Sequence, residues 1–448
     1  MSALSLPTTI RHRHVFDLSW PIMVSMLSYT AMTVADSIYI GQLGMTPLAA
    51  IGISTSLIYA GTAFGMGLLS GMRVAVAKAT GADAHDLGRA YTWQGLWIAL
   101  ALGVVVAAFA PIGPWAFGWM GASDAVIPLA SAYFGIRTLA APLAFSSVAL
   151  ASYFQARGET KITMVAAVVA NVVNIAVDPI LIFGLGPIPA MGIHGAALAT
   201  VLGMVFEIAI LGGVAFRRLR THMVFPDRDL LRPIWRVGAP MGLERLLDVG
   251  SFVLFASLLA RAGEIHLAAH VIVVRIAMVS FLPGFAVAEA SGVLVGQSLG
   301  AKRPHQAREA HRSATHLSMA LMGVCGVLFV AMPDPLIRLF GAGPEVMEIA
   351  RQLLMLAAVI QLFDALAMVA LGSLSGAGDT AFVAKITVFA SWVIKIPIAV
   401  TLITYADLGA LGAWLGLAAE ILFLAAAGCW RIRGDTWLES GEVEAPTA

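Results

Sequence analysis

Asp36 closes a run of polar side chains, Ser25, Tyr29, Thr33 and Asp36, spaced four, four and three residues apart. That spacing puts all four on one face of an α-helix. Asn171, Asn174 and Asp178 follow at steps of three and four, so two amides and a carboxylate share a second helical face. Oxygen donors alone suit a hard cation such as sodium, whereas a carboxylate stripped of its water binds a proton instead. Both chemistries remain open at this level, with plain helix–helix hydrogen bonding as the structural alternative. Farther along, Glu244 and Asp248 stand at i and i+4 with Arg245 between them, and Gln361 and Asp364 at i and i+3. These would form a second acidic site, unless Arg245 neutralises Asp248 in a structural pair. Glu289 either lines a cavity or reaches an interface.

The elements that must position these groups follow from composition. The chain is 59% hydrophobic and 12% charged, against roughly 25% charged in ordinary soluble domains, which excludes a water-exposed surface over most of its 448 residues. Apolar runs lie near 16–40, 48–72, 91–113, 125–150, 162–184, 192–216, 234–260, 266–290, 313–332, 346–370, 381–404 and 409–430. Each is about 20 residues or longer, the length of a spanning helix and about twice that of a barrel strand. The expected fold is an all-α membrane protein with twelve transmembrane helices. A charge held at mid-membrane costs roughly 2.5–3.5 kcal/mol on insertion scales, so each one calls for a role. Besides the acids above, Arg137, Arg275 and Lys395 read as ion-pair partners or interface anchors, and Glu207 and Glu420 carry no assignment.

The chain also repeats itself at an offset near 220 residues. Gln155-Ala156-Arg157-Gly158-Glu159-Thr160 returns as Ser375-Gly376-Ala377-Gly378-Asp379-Thr380, Trp20-Pro21 as Ala239-Pro240, and Ser70-Gly71 as Ser291-Gly292, each copy then passing a Gly-Ala step at Gly81-Ala82 and Gly300-Ala301. Six helices per copy is an even number, so the copies share one orientation, with two pseudo-symmetric six-helix lobes around a central cavity. The expected division is an N-lobe over 1–216, an interlobe linker over 217–233, a C-lobe over 234–433 and a tail over 434–448. Lys and Arg concentrate in the loops on one side, from Arg11 and Arg13 through Arg217, Arg218, Arg220 and Arg228 to Arg431 and Arg433; only Arg261 and Arg338 fall on the other. Both termini are therefore expected in the cytoplasm. Pro21 removes a backbone bond inside the first helix and marks a conformational hinge, through which bending and protonation of Asp36 could be linked.

Enzyme signals fail on context. Gly296-Gln297-Ser298-Leu299-Gly300 matches a nucleophile-elbow pattern but closes an apolar helix, where a strand-turn-helix is required. His305, Glu309 and His311 read as a solvated cluster in a basic cytoplasmic loop. Cys325 and Cys429 offer no disulfide framework or metal spacing. No phosphate-cradling Walker loop is found, so no cofactor is expected and transport would be secondary, coupled to H+ or Na+. The basic start ahead of the first apolar run is a retained helix, not a cleaved signal. The twenty methionines suit a cavity that adapts to varied apolar ligands, and equally serve as filler.

With these residues in view, the chain resembles the multidrug and toxic compound extrusion (MATE) transporters over essentially its whole length, with features of both the NorM-like and DinF-like branches. Trp20-Pro21 with Val34-Ala35-Asp36 and Gly41-Gln42-Leu43-Gly44 resembles that family's first helix. Val295-Gly296-Gln297 leading to Gly300-Ala301, and Gly376-Ala377-Gly378-Asp379-Thr380, resemble its loop signatures; Asn174, Asp178, Pro179 and Ile182-Phe183-Gly184 resemble its fifth helix. The resemblance implies alternating-access export of organic cations by proton or sodium antiport from the bacterial inner membrane, with Asp36, Asn174, Asp178 and Thr200 as the cation site. Gln361 and Asp364 match the acidic position of the second lobe, and Asp248 stands where the NorM-like branch usually has glutamate. A monomer handling small organic cations, with no nucleic-acid partner, is expected. A flippase for lipid-linked sugars, which would want a basic cavity, and a channel with a fixed pathway are the rival readings.

Overall fold

The computed structural model describes residues 9–219 and 223–439; Arg220 and the tail beyond Glu439 lie outside the described residues. Seventeen helices follow one another: α1 His12–Gly41, α2 Met45–Gly81, α3 His85–Ala108, α4 Gly113–Trp119, α5 Val126–Leu139, α6 Ala141–Ala156, α7 Thr160–Phe183, α8 Ile193–Leu219, α9 Arg228–Ala262, α10 Glu264–Gly300, α11 Pro304–Ala331, α12 Pro333–Arg338, α13 Pro344–Ala377, α14 Thr380–Phe389, α15 Ile396–Thr404, α16 Gly409–Arg433 and α17 Thr436–Glu439. Ala390–Lys395 is a π-helical turn joining α14 to α15. Among the described residues the only β pairing is an isolated bridge from Leu185 to Ile188. Helices are what an apolar chain must form in lipid, because each satisfies its own backbone polar groups.

Ten helical segments are long and apolar enough to cross a membrane, and α5 with α6 forms an eleventh, bent by 48°. The bend falls at Ala140, just ahead of Pro142 at the start of α6, where a proline cannot donate into the preceding turn. The twelfth is α9, long enough at 35 residues but interrupted by Glu244, Arg245 and Asp248. The fold is therefore all-α with twelve spanning helices, as expected.

The duplication extends to single backbone angles. Asp83 and Lys302 both adopt a positive φ, 59° and 56°, and after each the chain makes the same five-residue back-bond, Ala84 N–H to Ala79 O and Arg303 N–H to Ser298 O, both at 2.9 Å. Gly158 and Gly378 match likewise at φ 77° and 92°, with Glu159 N–H to Phe154 O at 2.9 Å and Asp379 N–H to Leu374 O at 3.0 Å. Each of these acidic residues then pairs with an arginine from the last long helix of its own copy. Arg218 meets Glu159 at 2.5 Å and Arg431 meets Asp379 at 2.7 Å.

The packed units do not divide the chain at one point. Unit 1 comprises Met1–Met23, Gly81–Asp83 and Leu243–Ala448, and unit 2 comprises Val24–Thr80 and Ala84–Gly242. The first helix of each copy thus starts in the unit opposite to the one where it finishes, and it changes unit two residues after its proline, Pro21 in α1 and Pro240 in α9. Within unit 2, α9 begins flush against α2: a Cβ on Gly238 would lie 2.2 Å from Leu68 O, and one on Gly71 2.3 Å from Ile234 O.

Three residues assigned above to a loop are helical. His305, Glu309 and His311 lie in α11. Glu309 accepts the Ile10 N–H at 2.9 Å, and His311 bonds the Ser373 hydroxyl at 3.0 Å, which meets Ser291 at 2.8 Å. A turn of basic sequence reads as loop, but Pro304 starts a helix whose other face is apolar. Gly296–Gly300 forms the last turns of α10, so the elbow pattern has no strand beneath it. Cys325 and Cys429 are free thiols.

Candidate functional site

Unit 2 gathers the expected members of the first acidic site from three helices. Asp36 comes from α1, Asn174 and Asp178 from α7, and Thr200 from α8. Asn174 and Asp178 are fully buried, Thr200 is 5% exposed, and Asp36 is half-buried. Glycines on α8 set this depth: a Cβ on Gly195 would stand 2.5 Å from the Leu181 backbone, and one on Gly203 2.9 Å from Ala170 O. The two therefore allow α8 to lie directly on α7, with Thr200 between them. The carboxyl groups of Asp36 and Asp178 face one another.

α5 supplies two more members, Tyr133, which the sequence reading left out, and Arg137, which it read as an ion-pair partner or an anchor. Tyr133 meets Thr200 and lies near both aspartates, and Arg137 acts electrostatically on Asp36 and on Tyr133. The two stand at i and i+4, which was the available signal. Arg137 does not close the site with a salt bridge: its Nε and Nη1 are buried without a hydrogen-bond partner. The same holds for Asp36 Oδ1, for both carboxyl oxygens of Asp178 and for both polar atoms of the Asn174 amide. Buried polar atoms are paired in the great majority of cases, so this concentration of unpartnered polar atoms sets the site apart from an ordinary helix interface. No group of three His, Cys, Asp or Glu side chains suited to a metal occurs among the described residues; the amide and hydroxyl oxygens here belong to a different donor class.

The rest of the first polar stripe divides. Tyr29 donates to Glu207 Oε1 of α8 at 2.7 Å, and Asn171 Nδ2 donates to Ser28 Oγ at 2.5 Å. Thr33 is exposed and satisfies itself on Tyr29 O at 3.0 Å.

Unit 1 holds the second acidic site. Asp364 is 8% exposed and Gln361 1% exposed on α13. Gln361 Nε2 donates to the Ser280 hydroxyl of α10, leaving its Oε1 buried and unpartnered. Asp364 senses Glu420 of α16, which in turn senses Asp248 of α9. Glu420 does not stand alone: Lys395 Nζ approaches it at 3.0 Å, both side chains are within 7% of complete burial, and the Ser391 hydroxyl donates to it as well. Lys395 closes the π-turn, a form found mostly as single inserted turns and frequently at functional sites. Asp248 and Arg245 are exposed and Glu244 is half-buried; the electrostatic neighbours of Glu244 are Arg245 and Asp248. Glu289 is half-buried on α10 and engaged in an interaction of its own, and Arg275 is exposed on the same helix.

Comparison with known proteins adds the lineage. A family model described as MatE matches the chain twice, over residues 21–180 and 240–401, so the internal repeat and the family signature coincide. The chain is 28% identical over 416 residues to a probable multidrug resistance protein NorM of Thermotoga maritima, covering 92% of this chain and 90% of the relative. It is 30% identical over 422 residues to the same-named protein of Brucella suis, covering 90% and 89%. Among solved structures it resembles a MOP superfamily transporter from Pyrococcus furiosus, described as having a binding pocket of reverse polarity that suggests a different function, with a TM-score of 0.87, 25% identity and coverage of 94% and 95%. A MATE crystal structure in a bent conformation matches equally well, with a TM-score of 0.87, 25% identity and 94% of each chain covered. With the family model spanning most of both repeats, this chain belongs to the MatE family, the multidrug and toxic compound extrusion transporters.

Proposed function

We propose that this protein is a secondary active exporter of amphipathic, cationic compounds in exchange for H+ or Na+. The observation that carries the reading is the facing pair Asp36 and Asp178, whose buried oxygens lack hydrogen-bond donors beside an equally unpartnered Asn174. These oxygens, with Thr200 at the edge, fit either ion, because both ions satisfy lone pairs that the protein leaves open. Release of the ion would return negative charge to the site and draw a cationic substrate toward the same surface, so the two compete. Moving one positive charge outward against about 100 mV costs about 2.3 kcal/mol, and an ion entering in exchange cancels that electrical cost.

Asp248, Glu244, Gln361, Asp364 and Glu289 form the second acidic surface, assigned here to substrate. Pro21 serves as a hinge: it lies two residues before α1 passes from one unit to the other, and a proline inside a helix removes one backbone bond. The lysine and arginine asymmetry of the loops supports an orientation with both termini in the cytoplasm, and we assign the protein to the bacterial inner membrane as a monomer.

The Pyrococcus furiosus relative whose pocket is described as reversed in polarity keeps a second reading in play, transport of an anionic lipid-linked sugar. A phosphate-bearing substrate calls for arginines and lysines free to bind it. Here Lys395 is already held by Glu420 at 3.0 Å, and acids outnumber bases at both sites. Purified protein in vesicles decides between them. Ethidium should move under an imposed pH gradient or an imposed sodium gradient, and Asp36→Asn should abolish that movement. Ethidium that stays still under both gradients would remove the exporter reading.

A further inference from the structure

Three helices of unit 2 carry polar side chains at the same interval. On α1 Tyr29 precedes Asp36 by seven residues, on α7 Asn171 precedes Asp178 by seven, and on α8 Glu207 follows Thr200 by seven. Seven residues rise about 10 Å, or two turns. The result is two polar rungs. The first holds Asp36, Asp178, Thr200 and Tyr133. The second holds Glu207 with Tyr29, and Asn171 with Ser28.

Glu207 is the unusual member. It is 8% exposed and takes a hydroxyl hydrogen bond from Tyr29 of α1 at 2.7 Å, with the Ser147 hydroxyl of α6 near it. Among the described residues no lysine, arginine or histidine faces it from these elements, and Tyr29 is the only titratable neighbour. A carboxylate removed from water without a counter-charge costs several kcal/mol, and a proton removes that cost. Sodium fits poorly, because the Tyr29 hydroxyl already donates to the carboxylate and would have to turn away to offer a lone pair.

We propose that Glu207 is a second proton-binding carboxylate of the transport cycle, two turns from the Asp36–Asp178 site, which makes the proton the coupling ion. The step adds a proton to Glu207 or removes one, with no other bond changed and no electrons moved. This inference rests on the exporter reading above, and its test separates the two. In weakly buffered detergent solution, saturating ethidium is added to the purified full chain and the protons released per protein are counted with a pH dye. Wild type should release roughly twice as many as Glu207→Gln, the difference being one linked group. Glutamine keeps an acceptor oxygen for the Tyr29 hydroxyl, so a purely structural Glu207 would leave the count unchanged, and an unchanged count with ethidium still bound overturns the proposal. Tyr29→Phe offers a second route that retains the carboxylate. It should move the pH of half-release by about one unit, the equivalent of one hydrogen bond to a charged group; an unmoved profile also overturns the proposal. Ethidium bound by wild type with no proton released would instead remove proton coupling altogether, and Glu207 with it.

Discussion

The two acidic sites of this duplicated chain treat their charge differently. In unit 1, Glu420 is met by Lys395 at 3.0 Å and by the Ser391 hydroxyl, so its charge is balanced by the protein itself. In unit 2, Asp36 and Asp178 face each other beside an arginine that makes no hydrogen bond from its buried Nε and Nη1. The loops of the two copies agree to within 3° and 15° of φ at their two positive-φ positions and to about a tenth of an ångström in their back-bonds. Duplication has therefore preserved the scaffold while the charge balance of the sites has diverged. A built-in counter-ion makes a carboxylate part of the structure, and in the proposed exporter its absence leaves the carboxylate to a mobile ion.

The strongest way to break this contrast is to remove charge from unit 2. Asp178→Asn should lower coupled ethidium efflux in vesicles by about 30-fold or more, the factor expected from losing an interaction of roughly 2–3 kcal/mol at a charged group, while expression and thermal unfolding stay near wild type. The reverse is expected in unit 1. Lys395→Met strands Glu420 and should destabilise the protein by roughly 3–5 kcal/mol, whereas Lys395→Met with Glu420→Leu should recover most of that loss; thermal unfolding in one detergent compares them. Equal recovery from either single variant would mean that the pair carries no structural load.

A smaller effect sharpens the geometry. Gly203→Ala places a Cβ 2.9 Å from Ala170 O and 3.4 Å from Asn174 Cβ. The methyl group must push α8 from α7 at a cost of about 1–3 kcal/mol, and ion-coupled efflux should weaken with stability. The smallest effect tests the repeat itself. Arg218→Ala and Arg431→Ala remove equivalent, partly exposed ion pairs with Glu159 and Asp379, and each should cost about 1 kcal/mol or less. A clear difference between them in thermal unfolding would break the equivalence of the two loops.

Much of the fold was legible because lipid imposes a length and an apolarity on every spanning helix, and because loops such as Gly158–Thr160 and Gly378–Thr380 need glycine at a positive φ. The carboxylates Asp36 and Asp178 and the amide Asn174 were legible as polar helix faces from spacing alone. Glu207 was not, since its donor Tyr29 lies 178 residues away and no local pattern joins them. Lys395 was read as an ion-pair partner or an anchor, but its partner Glu420, 25 residues away on another helix, was hidden for the same reason. Nor does residue order show that α1 and α9 each begin in one packed unit and end in the other. Their repeated prolines marked the place without giving its meaning. The basic start of α11 misled because charge density reads as loop, while a helix with one solvated face tolerates it.

The most direct test of the central claim is ethidium affinity of the purified protein, measured by fluorescence against pH and against sodium, in wild type and in Asp178→Asn. The account predicts that one of the two ions weakens ethidium binding to wild type as its concentration rises, and that Asp178→Asn loses the share of this dependence that the Asp36–Asp178 site carries, about half or more. Wild-type affinity that is indifferent to both ions, or a dependence that survives intact in Asp178→Asn, would contradict it.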